Sequence, residues 1–294
     1  MRLRLINFLL RALSLIPLSV AHMLGAGLGL LAWWLPTTLK RNTLINLKLC
    51  YPEQSGQWIN TTARASLQET GKALSELGWF WCKPRRTLEQ KISAVHGQQH
   101  LDDAIATGRG VILVSPHLGA WEFCPLVMAP LDSAVFMYRL PRQAALDPVF
   151  QRARTRFGAE LAPLTPGGIK KVFTALRSGG TVGILPDQEP DEGSGEFAPL
   201  FGTPAYTMTL LSGLARKSNA TVLYVAFIRL PHGQGYDIHY VPADPDLANA
   251  DTSVATTALN RQIENCINIA PTQYLWSYKR HRLMPDGSRR RYHR

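Results

Sequence analysis

Apolar positions along the chain follow three successive patterns. Residues 12–35 form an unbroken stretch of 24 residues without Asp, Glu, Lys or Arg. As a single helix rising about 1.5 Å per residue, it has the length to cross a bilayer core of roughly 30 Å. From Arg41 to Lys91 apolar residues recur at helical spacing, with a break at Tyr51-Pro52. Ala63, Leu67, Thr70, Ala73, Leu74 and Leu77 form a packing stripe that ends in Trp79, Phe80 and Trp81. A short helix over 101–107, capped by Gly108, leads into the third pattern, in which short β-branched runs alternate with amphipathic ones. Strands are predicted at 111–114, 134–138, 181–185, 221–228 and 236–241. Helices are predicted at 121–129, 147–157, 168–177, 206–216 and 252–268. Apolar strands interleaved with helices predict an α/β fold: a mixed, largely parallel sheet flanked by helices, with an N-terminal membrane-anchoring helical segment. There is no internal repeat and no Gly- or Pro-rich linker within the third pattern. The expected organisation is an anchor over residues 1–40 and an α/β domain with a basic tail over 41–294.

Two arrangements of the first stretch are compatible with its residues. Pro17, His22 and the series Gly25, Gly27, Gly29 weaken a straight span, although Gly and Pro are common in membrane helices. Trp33 and Trp34 suit a headgroup belt. The stretch therefore either crosses the bilayer once or folds into a helix pair lying in the interface of one leaflet. Arg2, Arg4 and Arg11 precede it while Lys40, Arg41 and Lys48 follow, so charge does not choose an orientation. A cleaved signal is disfavoured by its apolar length and by the lack of a small-x-small site.

Charge narrows the partners. Lys and Arg total 32 against 21 Asp and Glu, for a formal net charge of +11 and a pI near 9.7. Such a balance points to a polyanion: an anionic membrane surface or a phosphorylated substrate. No zinc-finger spacing or RNA-binding signature is present, so no nucleic-acid partner is expected. Residues 279–294 hold seven Lys or Arg against the single Asp286, which reads either as a solvated end or as a contact for lipid headgroups and phosphates. Cys50, Cys82, Cys124 and Cys266 form no CxxC pair and read as free thiols, with Cys50–Cys82 left open as a bridge.

The candidate chemistry lies in Gly110 to Phe123, where a buried strand ends at Ser115-Pro116-His117 and Glu122 follows five residues later. Ligands and catalytic groups collect at the carboxyl ends of strands in open α/β sheets. A lone histidine there is more often a cap or a core residue, so the rest of the chain has to decide. Five residues at about 100° each do not share a helix face. His117 is therefore expected in the turn, with Glu122 reaching back to accept the proton of one ring nitrogen and leaving the other free as a base. The spacing does not match the paired histidines of zinc helices, and no Gly-x-Ser-x-Gly elbow is present, so neither metal, cofactor nor protein nucleophile is expected at this site. A base without a nucleophile suits direct transfer, in which a substrate hydroxyl attacks an activated acyl group. The oxyanion that develops needs positive or hydrogen-bonding groups. Arg139 ends a strand; one of Arg152, Arg154 and Arg156 is expected to point inward; Asp187 is the first charged residue after another strand.

In this order the motifs resemble the lysophospholipid-acyltransferase superfamily, whose signature is H-x4-D/E, and more closely the bacterial lipid A biosynthesis late acyltransferases. The resemblance is carried by Arg41-Asn42, Asn46-Leu47, Cys50-Tyr-Pro-Glu53, His117-Leu-Gly-Ala-Trp-Glu122, Tyr138-Arg139, Arg154, Pro186-Asp187, Pro199-Leu-Phe-Gly202, Leu214-Ala-Arg216, Pro271-Thr-Gln-Tyr-Leu-Trp276 and Pro285-Asp-Gly287. It departs from the family at Tyr51, where Phe is usual, and at Tyr278-Lys279-Arg280, where His-Arg-Arg is usual. The resemblance implies an acyl-acyl carrier protein donor, a phosphorylated Kdo-bearing lipid A precursor as acceptor and no cofactor. It also implies the cytoplasmic face of a bacterial inner membrane as location. His117 and Glu122 would be the catalytic pair, with Arg154 and Asp187 also required. The acyl chain is expected in an apolar pocket lined by the 197–201 loop. Alternatives are an acyltransferase acting on a glycerolipid or another glycolipid, a membrane-bound thioesterase, and a non-catalytic lipid-binding protein.

Overall fold

The structure, a computed structural model, describes residues 2–129, 131, 133–141 and 143–292. Met1 of the expected anchor and residues 293 and 294 of the basic tail lie outside the described residues. In chain order the helices are α1 (Arg2–Leu15), α2 (Leu18–Trp34), α3 (Thr38–Cys50), α4 (Gly56–Ser75), α5 (Leu77–Cys82), α6 (Arg85–Glu89), α7 (Gln98–Ala106), α8 (Cys124–Met128), α9 (Asp147–Thr155), α10 (Pro166–Arg177), α11 (Leu210–Ser218) and α12 (Thr252–Ile269). The strands are β1 (Ile92–His96), β2 (Val111–Val114), β3 (Val135–Tyr138), β4 (Glu160–Pro163), β5 (Thr181–Ile184), β6 (Gly195–Leu200), β7 (Thr203–Met208), β8 (Thr221–Arg229) and β9 (Tyr236–Pro242).

Seven of these strands form one sheet in the order β1-β9-β8-β2-β5-β3-β4. Every pair in it is parallel except β8 with β9. All four residues of β2, β3 and β5 are buried, as strands covered on both faces require. The alternation of β2 divides the core. Ile112 and Val114 pack with Leu47, Ile59, Val172 and Leu259 on one face, and Val111 and Leu113 pack with Phe80, Leu101, Phe123 and Val225 on the other. The fold is thus a mixed α/β fold with a largely parallel sheet flanked by helices.

The N-terminal apolar stretch is divided between the end of α1 and α2. Pro17, which has no N–H to donate, precedes α2, and a second break at 35–37 turns α3 by 82° from α2. Among the described residues no single helix is long and apolar enough to cross a membrane. The glycine series has a packing role: a Cβ on Gly29 would lie 2.1 Å from the Leu67 carbonyl, and one on Gly71 would lie 1.9 Å from that of Gly25. Backbone therefore packs on backbone where α2 crosses α4. The opposite side of α2 leaves Met23, Leu24, Leu28, Leu31 and Trp34 exposed, and α1 exposes Leu5, Phe8, Leu9 and Leu15.

Elsewhere the structure adds to or differs from the sequence reading in several places. β1 and β4 lie at the sheet edges, where half-exposed short strands carry too little apolar signal to stand out. The Gly/Pro-rich run around 197–205, expected as a loop, is the β6–β7 hairpin, and it extends through Met208, so the helix expected from 206 begins only at Leu210. The helix expected over 121–129 is a 3-10 turn, Trp121–Phe123, followed by α8. The basic tail is folded onto the body. Arg280 is buried and donates to Tyr206 O (2.7 Å) and Thr207 Oγ1 (2.8 Å), and Tyr292 donates from its hydroxyl to Asn46 Oδ1 at 2.7 Å. All four cysteines are free, so the bridge left open between Cys50 and Cys82 does not form.

Candidate active site

The turn after β2 is fastened on every side. His117 O accepts from Leu275 N (3.0 Å), Gly119 N donates to Gln273 O (3.1 Å), and Ala120 N donates to Phe227 O (2.8 Å). Gly119 has φ +59°, and a Cβ there would lie 1.9 Å from the Phe227 carbonyl, so both the left-handed backbone and the close approach call for glycine. The carbonyl of Gly119 accepts from Arg229 Nη2 at 3.1 Å. Arg229 is itself held by Glu76 (Nε to Oε2, 2.9 Å) and Glu69 (Nη1 to Oε2, 2.7 Å). Glu76 also accepts from Tyr236 Oη and pairs with His22 Nε2, both at 2.9 Å. Burial alone would raise the Glu76 carboxyl, but the guanidinium of Arg229 outweighs it and holds the group at about 2. This ion cluster ties α2, α4, β8 and β9 to the backbone of the turn.

Two charge pairs face one another across the chain's motifs, and their partners differ from the expected ones. His117 Nδ1 lies 2.8 Å from Asp187 Oδ1, and the His117 backbone N donates to Asp187 Oδ2, also at 2.8 Å. A carboxylate in that position accepts a hydrogen bond from Nδ1–H and leaves Nε2 as the basic nitrogen. Nε2 is met by the Gln188 side-chain amide at 3.2 Å, and Trp121 packs its ring 5.4 Å from the imidazole. Burial pushes the Asp187 carboxyl up, yet the adjacent His117 ring and N–H groups hold it below the usual range. The expectation that Glu122 would hold the imidazole is therefore corrected. Glu122 is in the 3-10 turn and engages Arg154 through both Nε (Nε to Oε2, 3.1 Å) and Nη2, while Trp81 Nε1 donates to it at 3.4 Å. Burial acts to lower the Arg154 guanidinium, and the Glu122 carboxylate overrides it in the opposite direction.

His117 and Arg154 both line a cavity of about 560 Å³ at the carboxyl ends of β3 and β5. Its walls are apolar: Phe136, Met137, Ile169, Ile184, Met208 and Leu210 come from β3, α10, β5, β7 and α11. Arg139 sits at its polar side and pairs with the exposed Asp191. The 197–201 segment is not part of this wall. Phe201 instead stacks on Tyr51 (4.8 Å between centroids), because the hairpin turns it toward α3. Of the three arginines on α9 and just after it, only Arg154 points inward to the cavity. Arg152 is exposed, and Arg156 donates to Phe80 O and Lys83 O at 3.0 and 2.7 Å.

All five residues singled out from the sequence thus converge on one end of the sheet, with His117, Arg139 and Arg154 on the cavity and Asp187 and Glu122 behind the first and the last. Sequence reasoning missed Gln188, whose only signal is its place next to Asp187. It also missed Trp81, taken as core packing, and Arg229, an unremarkable end to a strand.

The family described as bacterial lipid A biosynthesis acyltransferase matches residues 3–283. The lipid A biosynthesis lauroyltransferase of Escherichia coli K12 is 31% identical over 283 residues, covering 94% of this chain and 90% of that protein. The palmitoleoyltransferase of the same organism is 29% identical over 279 residues (92% and 88%), and its myristoyltransferase 24% identical over 268 residues (91% and 82%). With residues 3–283 matched by that family and a relative 31% identical over most of both lengths, the chain belongs to the bacterial lipid A biosynthesis acyltransferases.

Proposed function

We propose that this acyltransferase moves a fatty acyl chain from acyl-acyl carrier protein to a hydroxyl of a phosphorylated, Kdo-bearing lipid A precursor, without a covalent enzyme intermediate. The reading is supported above all by His117: a base held by Asp187 at the wall of a cavity whose lining includes no cysteine, and whose hydroxyls on Tyr138, Ser194 and Thr209 are not hydrogen-bonded to the imidazole, which meets Asp187 and Gln188 instead. Nε2 of His117 takes the proton of the acceptor hydroxyl once Gln188 turns aside. The oxygen attacks the thioester carbonyl carbon, and the new C–O bond forms. As the tetrahedral intermediate collapses, the C–S bond breaks and the imidazolium returns its proton to the departing thiolate. Arg154 has spent Nε and Nη2 on Glu122, so Nη1 is the donor offered to the oxyanion or to an acceptor phosphate. Glu122 acts through Arg154, fixing the plane and position of the guanidinium. The donor chain lies along Ile169, Ile184 and Met208.

The exposed apolar faces of α1 and α2 rest in the membrane interface, with residues 1–40 as the attachment and the cavity on the cytoplasmic side of the bacterial inner membrane. A surplus of +11 suits anionic lipid, acceptor phosphates and an acidic carrier protein.

The decisive experiment supplies the purified enzyme with acyl-acyl carrier protein and the Kdo-bearing precursor in anionic vesicles and follows both ester product and free fatty acid by mass spectrometry. Ester formation lost in His117→Ala, with membrane binding retained, is the expected result. Free fatty acid as the main product would replace this reading with a thioesterase.

A further inference from the structure

At the far edge of the sheet a second cluster of side chains has no part in the acyl-transfer site. We propose that His96, Asp237 and His239 bind a single borderline transition-metal cation of the Zn²⁺ class, clamping the edge strand β1 to β9. None of the three lines the cavity.

The strand register builds this cluster. β1 runs parallel to β9 with Ile92 opposite Tyr236, but the pairing then shifts so that Ala94 meets Asp237, Val95 meets Ile238 and His96 meets His239. Strict alternation from Ile92, which packs in the same core cluster as Tyr236, would put His96 on that side too. The irregularity between Ile92 and Ala94 moves His96 onto the opposite face, the one carrying Asp237 and His239, and re-aiming a side chain is a recurrent use of such bulges. Asp237 and His239 are two apart on β9 and so share that face.

The donor atoms are already close. One ligand atom from each residue lies within 4.8 Å of the other two, and His96 Nε2 is 3.9 Å from Asp237 Oδ2. Metal bonds of about 2.0–2.2 Å to nitrogen and oxygen bring such atoms to roughly 3–4 Å from one another, so small rotamer shifts complete the set. The imidazoles stack with centroids 4.4 Å apart and an interplanar angle of 19°, which holds the two rings side by side with nearly parallel planes. The other carboxylate oxygen, Asp237 Oδ1, is buried and has no hydrogen-bond partner among the described residues, leaving the carboxylate short of a positive neighbour. Two imidazoles and one carboxylate suit Zn²⁺, Co²⁺ or Ni²⁺ and disfavour Mg²⁺ and Ca²⁺, which take oxygen ligands. His96 is exposed, so the remaining coordination positions open to water. Because β1 is held in the sheet by β9 alone, an ion bridging the two strands stabilises the folded edge by mass action.

The test uses the full-length chain without a histidine tag, in detergent micelles, titrated with Co²⁺ and then Zn²⁺. The expected result is one Co²⁺ per chain with the visible absorption of a low-coordinate site, displaced by Zn²⁺. His96→Ala, His239→Ala and the nearly isosteric Asp237→Asn should each weaken binding at least about tenfold. His232→Ala, at an exposed loop histidine, should leave it unchanged. Zn²⁺ should also raise the melting temperature of the parent but not of His239→Ala. Absence of saturable binding, or equal affinity and equal thermal shift in parent and Asp237→Asn, would overturn the proposal.

Discussion

Asp187 accepts both the ring Nδ1–H and the backbone N–H of His117, although 70 positions separate them in the chain. The carboxylate five residues from the histidine serves Arg154 instead. Two residues of one motif are thus split between two pairs, His117 with the buried Asp187 and Arg154 with the largely buried Glu122. If the imidazole depends on Asp187 for its tautomer, Asp187→Asn keeps the shape and loses the charge. Loss of such an orienting carboxylate elsewhere costs about 10⁴-fold in turnover. We therefore expect a fall in kcat of about 10²–10⁴-fold with KM for the donor little changed, measured by steady-state acyl transfer. A larger defect in Glu122→Gln than in Asp187→Asn would reverse the assignment of partners.

The Glu122–Arg154 pair should behave as one unit. Removing either member leaves a mostly buried charge without its partner, a change worth about 3–5 kcal/mol when nothing compensates. Glu122→Gln and Arg154→Gln should each reduce transfer strongly, and the double variant should be no worse than the poorer single. Arg154→Lys should not restore activity, since an ammonium cannot reproduce the two-point contact through Nε and Nη2. Additive losses in a double-mutant cycle would show that the two residues act separately.

The cavity wall predicts donor choice. Ile169 enters from α10 opposite the β5 residue Ile184, and both line the cavity. Ile169→Trp fills part of the space that a long chain needs. One methylene is worth about 1–3 kcal/mol in such a pocket. Competition between acyl-acyl carrier proteins of different chain lengths should therefore shift toward shorter donors by about tenfold or more. An unchanged length profile would place the acyl chain elsewhere.

The cluster under the His117 turn makes a stability prediction. Glu76 is held at about 2 by Arg229, below an ordinary value of 4.5. A depressed carboxyl contributes stability that is complete above the ordinary value and is lost as pH falls from there toward the folded value. Melting temperature should thus decline as pH is lowered from about 4.5 toward 2. In Glu76→Gln that part of the decline should be missing and the protein destabilised at neutral pH by about 3–5 kcal/mol. Calorimetry at several pH values checks both. Parallel pH profiles in parent and variant would remove Glu76 from the account.

Which of these features the sequence discloses follows from how each is encoded. β2, β3, β5 and β8 are legible because burial on both faces demands continuous apolar runs, and His117 is legible because it stands where such a run stops. Edge strands β1 and β4 answer to one neighbour and to solvent, so their composition is mixed. The β6–β7 hairpin hides behind Pro199 and Pro204, residues that suggest a loop yet lie opposite one another in the ladder. Carboxylate partners are the least legible element. Proximity in the chain favours Glu122 for His117, but the parallel pairing of β2 with β5 brings the ends of those two strands side by side and delivers Asp187 directly beneath the imidazole. The glycines of α2 give an ambiguous signal for the same reason: close helix packing in water and in a bilayer selects the same small residue.

That ambiguity sets the last prediction. α2 buries Leu18, Ala21, His22, Gly25 and Gly29 and exposes Met23, Leu24, Leu28, Leu31 and Trp34, so its apolar residues exceed what packing on α4 uses. On α1, Phe8 and Leu9 are exposed as well. Under the membrane attachment proposed above, these exposed apolar residues are the ones that enter the interface. Lying flat, such helices sink their side chains about 5–10 Å into the headgroup boundary, and binding scales with the apolar area buried. Replacing Phe8, Leu28 and Leu31 together by Ser removes three exposed side chains without touching the seam at Gly25, Gly29 and Gly71. Each is worth about 1.5–3 kcal/mol when fully buried, so even partial insertion predicts a loss of vesicle binding of tenfold or more, with melting temperature unchanged. Transfer to a lipid acceptor in vesicles should fall with binding, while turnover on a detergent-dispersed acceptor should persist. Vesicle co-sedimentation across a salt series separates this apolar contribution from the electrostatic one, because only the latter weakens as salt rises. Undiminished sedimentation of the triple variant at high salt would assign membrane contact to another face.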